Sequence, residues 1–245
     1  MSESCLVRVL SRYVQLTENE RCLLNRVDMQ TMTLQAGQTV VSQGSPLPWI
    51  YVLEEGWAIV RSRPVRGRSS IVRIHINGEI VGLSELAFQT APHDIQMQTS
   101  GRICSMRRED LGPLIQELPR LGALLASLAS IEQISLRDQC AALGLMTAED
   151  RLIHFFLDLQ SRLEDVPEDR SSARVLVPFS QAEIGEAVGM TPVYVNKLLR
   201  KLSAEGRVEV DRPYIILHNF RTMQAQTGFT NRYGSVDQSW FPKAA

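Results

Sequence analysis

The stretch "SQAEIGEAVGMTPVYVNKLLRKL", residues 180–202, restricts the fold of this chain more than any other segment. Ser180 with Glu183 three residues on is a capping-box pattern, and Ile184, Ala187 and Val188 follow on one helical face. Gly189 permits a left-handed turn, Thr191 caps a second helix, and Pro192 suits its first position, where no amide donor is needed. Two short helices joined by a tight turn make a helix-turn-helix. At about 100° per residue, Val195, Leu198, Leu199 and Leu202 gather on the inward side. Val193, Asn196, Lys197, Arg200 and Lys201 point outward. That outward mixture suits a DNA major groove, where a cation meets guanine acceptors or phosphate, an amide pairs with adenine, and an apolar group meets a thymine methyl. Val193, Asn196 and Lys197 are therefore expected at base edges, and Thr191, Arg200, Lys201 and Gln181 at phosphates. Pro192 starts this helix, and Tyr194, at the edge of the core side, is read as a packing or phosphate-contacting residue. After Gly206, "RVEVDRPYIIL" has two β-type runs about a turn at "DRP", a wing. From Thr191 to Arg207 the cations Lys197, Arg200, Lys201 and Arg207 face a single acid, Glu205, so a positive face is expected within a chain of formal net charge −1.

Upstream, residues 31–107 hold short β-branched runs, "TMTL", "QTVV", "WIYVL", "WAIVRS", "SIVRIHI" and "RICSM", separated by turn signals such as "QGSPLP", "RPVRGR" and "NGE". Strands at such close spacing argue for a sandwich or barrel rather than a parallel sheet with helical crossovers. Before them, Thr17 and Glu20 form another capping box and predict a short helix. From residue 109 the texture turns helical. Leu121, Leu124, Leu125, Leu128, Ile131 and Ile134 recur at three and four, with Ala126, Ser127, Ala129 and Ser130 small enough for close approach. We read that stripe as a seam with a second copy, giving a symmetric homodimer, in preference to packing on the chain's own β domain. A further helix is expected in "AEDRLIHFFLDLQSRL", with Leu152, Ile153, Phe156 and Leu159 inward, and "EDVPEDRSSARV" reads as a surface loop.

Composition narrows the alternatives. In 245 residues with 44% hydrophobic and 22% charged side chains there is material for real cores but no apolar run of the ~20 residues that a membrane span needs. No signal peptide is evident, so a cytoplasmic location without membrane attachment is expected. Cys5, Cys22, Cys104 and Cys140 are widely separated with no CxxC pair, which suggests buried free thiols rather than a zinc ribbon or disulfide framework. No Gly-rich phosphate loop, Ser-His-Asp grouping or HExxH occurs, so no enzyme is expected. The competing class is a ligand-binding or protein-interaction module whose winged helix docks a protein.

A β domain, a long helix and then the residues quoted above resemble the bacterial Crp/Fnr transcription regulators over roughly residues 15–218. "AGQTVVSQGSPLPWIYVLEEGWAIV" resembles the family's first β-roll repeat, "NGEIVGLSEL" its effector cassette, and "GMTPVYVNKLLRKL" its recognition helix. The resemblance implies an α+β chain in four parts. These are a cyclic-nucleotide-binding-like β-roll (jelly roll) over 1–112, a dimerisation helix over 113–146, a winged helix-turn-helix over 147–220 and a tail over 221–245. It also implies a homodimer on palindromic double-stranded DNA and, for an activator, contact with RNA polymerase. Its effector pocket maps onto Gly82, Leu83, Ser84, Glu85, His93 and Asp94.

Departures from the family pattern bear on the effector. Leu83 follows the cassette glycine where cyclic-AMP binders carry Glu, and no arginine lies between Arg73 and Arg102 to neutralise a cyclic phosphate. Cyclic AMP is therefore not expected. Relatives that hold an iron-sulfur cluster bunch three cysteines near the N-terminus, whereas Cys5 and Cys22 stand alone. No cofactor is predicted, with haem on His75 or His93, as in the family's gas sensors, or an unknown small effector kept as the alternatives. A metal site drawn from Glu85, His93, Asp94 and Cys104 lacks ligand spacing and is not expected.

Overall fold

The computed structural model describes residues 3–62, 69–163 and 171–243. Two compact units emerge, one from residues 1–65, 72–132 and 235–245, the other from 66–71 and 133–234. The division falls inside the long helix that the sequence analysis sets apart as a segment of its own.

The first unit opens with α1 (Cys5–Leu10), absent from the sequence analysis, whose cap is the Ser4 hydroxyl accepting from the Val7 amide. Next comes α2 (Glu18–Asn25), where both halves of the Thr17/Glu20 capping box form. Eight strands follow: β1 (Gln30–Leu34), β2 (Thr39–Val41), β3 (Trp49–Glu55), β4 (Ala58–Arg61), β5 (Ile71–His75), β6 (Glu79–Val81), β7 (Asp94–Met97) and β8 (Gly101–Arg107). They pair antiparallel into two four-stranded sheets, ordered β1-β8-β3-β6 and β2-β7-β4-β5, the face-to-face arrangement of a roll. β6 and β7 escape sequence reading because three or four residues of mixed polarity carry no period of their own. The "RPVRGR" turn lies outside the described residues. Between the sheets Val41, Leu53, Val60, Val81, Ile95, Met97 and Ile103 form one apolar core. A second core joins α1, α2, β3 and β8 to α3 (Leu111–Glu117) and the first half of α4 (Pro119–Leu145).

That second core corrects the dimer seam. Leu121, Leu124 and Leu125 are buried in it, at 7%, 2% and 9% exposure, and Leu128 packs against it. The leucine stripe is therefore satisfied by the chain's own residues, the alternative set aside above. Ile131 and Ile134 are half-buried. The solvent-facing stripe of α4 runs instead through Ala126, Ser130, Gln133, Arg137 and Cys140, flanked by Leu136 at 50% and Leu143 at 45% exposure.

In the second unit, α5 (Ala148–Leu163) is capped by Thr147, and its Leu152, Ile153, Phe156 and Leu159 are fully buried. A three-stranded sheet orders β10 (Val208–Asp211), β11 (Tyr214–His218) and β9 (Ser172–Leu176). β9 corrects the loop expected there: Ala173 and Val175 alternate inward about the exposed Arg174. The remainder of that loop, 164–170, lies outside the described residues. The expected tail is partly a helix, α8 (Phe220–Thr227), burying Phe220 and Met223. Beyond it Arg232 pairs with Asp138 at 2.7 Å within the second unit. The last residues belong to the first unit, where Val236 and Phe241 join the second core and Gln238 bonds Arg120 and the Tyr13 carbonyl.

Candidate nucleic-acid interface

α6 (Gln181–Val188) and α7 (Pro192–Ala204) form the helix pair, each capped as its sequence dictates. Ser180 and Glu183 complete both bonds of their capping box. Gly189 closes α6 in the left-handed region at φ +68°, which glycine enters without steric cost. Thr191 caps α7 by accepting from the Tyr194 amide, and Pro192 takes the first helical position. Gly185 is a site residue that the sequence reading missed. Its amide oxygen accepts from the Met190 amide at 2.8 Å, and a Cβ there would stand 2.5 Å from the Met190 carbonyl oxygen. The turn thus lies directly on α6, and only a bare backbone admits that approach.

Val195, Leu198, Leu199 and Leu202 lock α7 into the unit's core. The opposite side is open. Val193 is 81% exposed and Tyr194 41%, while Thr191, Pro192, Lys197, Arg200 and Lys201 are also exposed and Asn196 and Gln181 half-buried. Tyr194 accordingly projects outward rather than packing inward.

The charge on this face differs from the sequence expectation. Glu149, from α5, accepts from Lys201 Nζ at 2.6 Å and also pairs with Arg207. Glu205 adds weaker pairs to both, at 3.7 and 3.4 Å. The bond from Lys201 and the two cations hold the Glu149 carboxyl below the usual carboxylate range despite its partial burial. Lys201, its side chain 55% exposed, is therefore already paired within the chain, and a phosphate contact there would compete with Glu149. The acid responsible lies over 50 residues upstream, out of sight of a local charge count. Lys197 and Arg200 have no ion pair among the described residues. In the wing, Arg212 donates to the Phe179 carbonyl, while Arg174 pairs with Asp211 and stacks on Tyr214 at 3.5 Å, so both serve local structure.

The cassette of the first unit is a different kind of site. Gly82 turns at φ +96°, Leu83 is buried, and Ser84 donates to Glu132 at 2.9 Å. Arg73 is held by Glu79 and Glu132, at 3.3 and 3.4 Å, and His75 contacts Glu79 at 3.3 Å. His75 is thus a buried, hydrogen-bonded histidine, and His93 is half-buried. Asp94 accepts from the Gln43 amide, a strand-to-loop link. Ala91, only 3% exposed, occupies the stretch in which cyclic-nucleotide binders need a cation. A cyclic phosphate there would meet no Arg or Lys of that stretch and the acid Asp94 close by, and the residues do not fit one.

Burial pushes the Glu85 carboxyl above the usual range, opposed by His75 and His93 and reinforced by Glu132. For an acid whose folded pKa is raised, the cost of the buried charge is absent below the unfolded pKa and complete above the folded one. Glu85→Gln should accordingly raise the melting temperature at about pH 7, with the gain fading as pH falls toward about 4. A gain independent of pH in scanning calorimetry would show that ionisation is not its source.

The cysteines also depart from expectation. Cys5 and Cys104 are joined by a disulfide across 99 residues of sequence, and Cys22 and Cys140 are exposed rather than buried. Among the described residues the one group of three metal-type ligands is Cys5, Glu54 and Cys104, in which the two sulfurs are bonded to each other. A four-cysteine cluster does not fit this arrangement.

Residues 150–225 match the model of the Crp-like helix-turn-helix domain, and residues 31–117 match that of the cyclic nucleotide-binding domain. The chain is a Crp/Fnr-type transcription regulator. It is 24% identical over 228 residues to the fumarate and nitrate reduction regulatory protein of Escherichia coli, covering 93% of this chain and 90% of that one. The protein of the same name from Salmonella typhimurium matches with the same identity and coverage. Among solved structures, FixK2 from Bradyrhizobium japonicum superposes with a TM-score of 0.73 at 18% identity, over 81% of this chain and 97% of that one. A CooA variant from Carboxydothermus hydrogenoformans gives 0.68 at 14% identity, over 93% and 97%. These likenesses support the Crp/Fnr assignment of a β-roll, a long helix and a helix-turn-helix, and no helix among the described residues is long and apolar enough to cross a membrane.

Proposed function

We propose that this Crp/Fnr-type regulator acts in the cytoplasm, by binding rather than catalysis, as a homodimer on two-fold symmetric double-stranded DNA. Val193, Asn196 and Lys197 read base edges, while Thr191, Gln181 and Arg200 hold phosphates. The observation that carries this reading is the α7 surface: an 81% exposed valine beside an amide and two unpaired cations, on a helix whose other side is fully packed. The exposed α4 stripe of Ala126, Ser130, Gln133, Arg137 and Cys140 supports dimer formation, because the small Ala126 and Ser130 allow two helices to approach closely at its start. As an activator the dimer would also contact RNA polymerase. Any effector acts by binding one arrangement of the dimer more tightly than another, and the cassette chemistry argues for a ligand other than cyclic AMP.

Lys197→Ala should weaken binding to a selected palindromic duplex by roughly tenfold and lower the salt slope of log affinity by about 1 if the ammonium meets phosphate. A loss confined to one base-pair position, with the slope unchanged, would place it on a base edge instead. Footprints should show two half-sites about 34 Å apart. A variant equal to the parent in both affinity and slope removes Lys197 from the interface, and a protein that protects no genomic fragment defeats the whole reading.

A further inference from the structure

The disulfide is the cluster of reactive side chains that DNA binding leaves unused. Cys5 opens α1, and Cys104 sits in β8, the strand between β1 and β3. The bond therefore fastens the first helix to the middle of a sheet across 99 residues. Five of the six residues of α1 are buried. Two of them, Leu6 and Leu10, line a cavity of about 20 Å³ together with Leu121 and Leu125 of α4. Whatever holds α1 in place thus also packs the root of the long helix.

A DNA-bound regulator works where glutathione and thioredoxin keep thiols reduced, and disulfides that form there are as a rule transient and regulatory. We propose that Cys5–Cys104 is a reversible thiol-disulfide switch, with glutathione-type thiols as its co-substrate, that sets how firmly α1 holds β8 and the root of α4. The surroundings assign the two sulfurs different parts. Cys5 is 7% exposed and Cys104 fully buried, so an incoming thiolate attacks Cys5 Sγ. The Cys5–Cys104 bond breaks, a mixed disulfide forms on Cys5, and Cys104 leaves with the electron pair. Glu54 Oε2 lies 3.8 Å from Cys104 Sγ, and Thr31 Oγ1 lies 3.6 Å from it. A carboxylate at that distance disfavours a thiolate, so Cys104 takes up a proton. A second thiol then displaces Cys5 from the mixed disulfide. The balance is two small thiols consumed, one small disulfide released, and two protein thiols formed. Arg8 donates to Glu54 at 2.5 Å and reaches Cys5 Sγ at 3.7 Å, joining both ends of the site through one guanidinium.

The test uses the full chain in glutathione buffers graded from fully oxidised to fully reduced. Mass mapping after alkylation in denaturant should find Cys5 joined to Cys104 at the oxidised end and both alkylated at the reduced end, with the change inside the cytosolic range of buffer ratios; the exposed Cys22 and Cys140, which oxidised glutathione also modifies, are read separately. Reduction should lower the melting temperature of the first unit by about 10 °C, as expected for opening a long loop. Cys5→Ser and Cys5→Ala should melt at that lower temperature in every buffer. A Cys5–Cys104 bond intact in the most reducing mixture would make it a permanent staple, and Cys5 and Cys104 unjoined in the most oxidising would remove it; either result overturns the switch. The final arm rests on the proposed DNA binding: affinity for the selected duplex should differ at least threefold between the two forms. Equal affinity with a working thiol change refutes the switching role. Failure to bind DNA in any buffer would count against the regulator reading alone, since the mass map judges the bond separately.

Discussion

Gly185→Val should abolish duplex binding and lower the melting temperature of the DNA-binding unit by more than any surface substitution. Even a first added carbon would lie 2.5 Å from the Met190 carbonyl oxygen, which is backbone and cannot swing aside. The turn must lift away from α6. That costs the Met190-to-Gly185 bond and displaces the Thr191 cap of α7, together about 3 kcal/mol or more. Affinity should fall at least a hundredfold, because a recognition helix shifted by an ångström loses base and phosphate contacts together. Mobility shift and circular dichroism melts check it. Parent-like binding by the valine variant would mean that the turn is not held in this geometry.

Arg120→Met should destabilise the first unit by roughly 3–5 kcal/mol. Glu20 is a buried carboxylate, its side chain only 4% exposed, and Arg120 Nη1 is paired with it at 3.2 Å. The same guanidinium donates to the Gln15 carbonyl and to Gln238 at exposed positions that water can take over, so the loss centres on Glu20. Much of the loss comes from the uncompensated charge. The double variant Arg120→Met with Glu20→Gln should therefore recover a good part of the melting temperature, although Gln at position 20 can still serve the capping box. No recovery would locate the cost in lost packing instead.

Legibility from sequence followed the range of the interactions. Caps are local, so Thr17, Ser180, Gly189 and Thr191 announced themselves, and the helix pair followed with its buried and open faces. Long β-branched runs gave β3, β4, β5 and β8, while β6, β7 and β9 gained their partners only through tertiary pairing. The failures were at long range. The stripe on α4 was correctly apolar, but what covers it is α1, β3 and β8, and no period in a helix reveals its partner. Glu149 neutralises Lys201 from α5, and Cys104 finds Cys5 across the unit, pairings set by the fold alone. Gly185 left a weaker signal, a glycine inside a helix one turn before the break, which reads as tolerated until the close approach of Met190 is seen.

The seating of Val236 and Phe241 in the core built by α1, α2 and α4 bears on synthesis. A ribosome releases the start of a chain first, and domains ordinarily fold in that order. Here the first unit emerges early yet lacks Val236 and Phe241 until the DNA-binding half has been made. Its apolar floor stays uncovered while the DNA-binding half is being made, so nascent chains halted before residue 236 should be caught by chaperones that full-length product escapes.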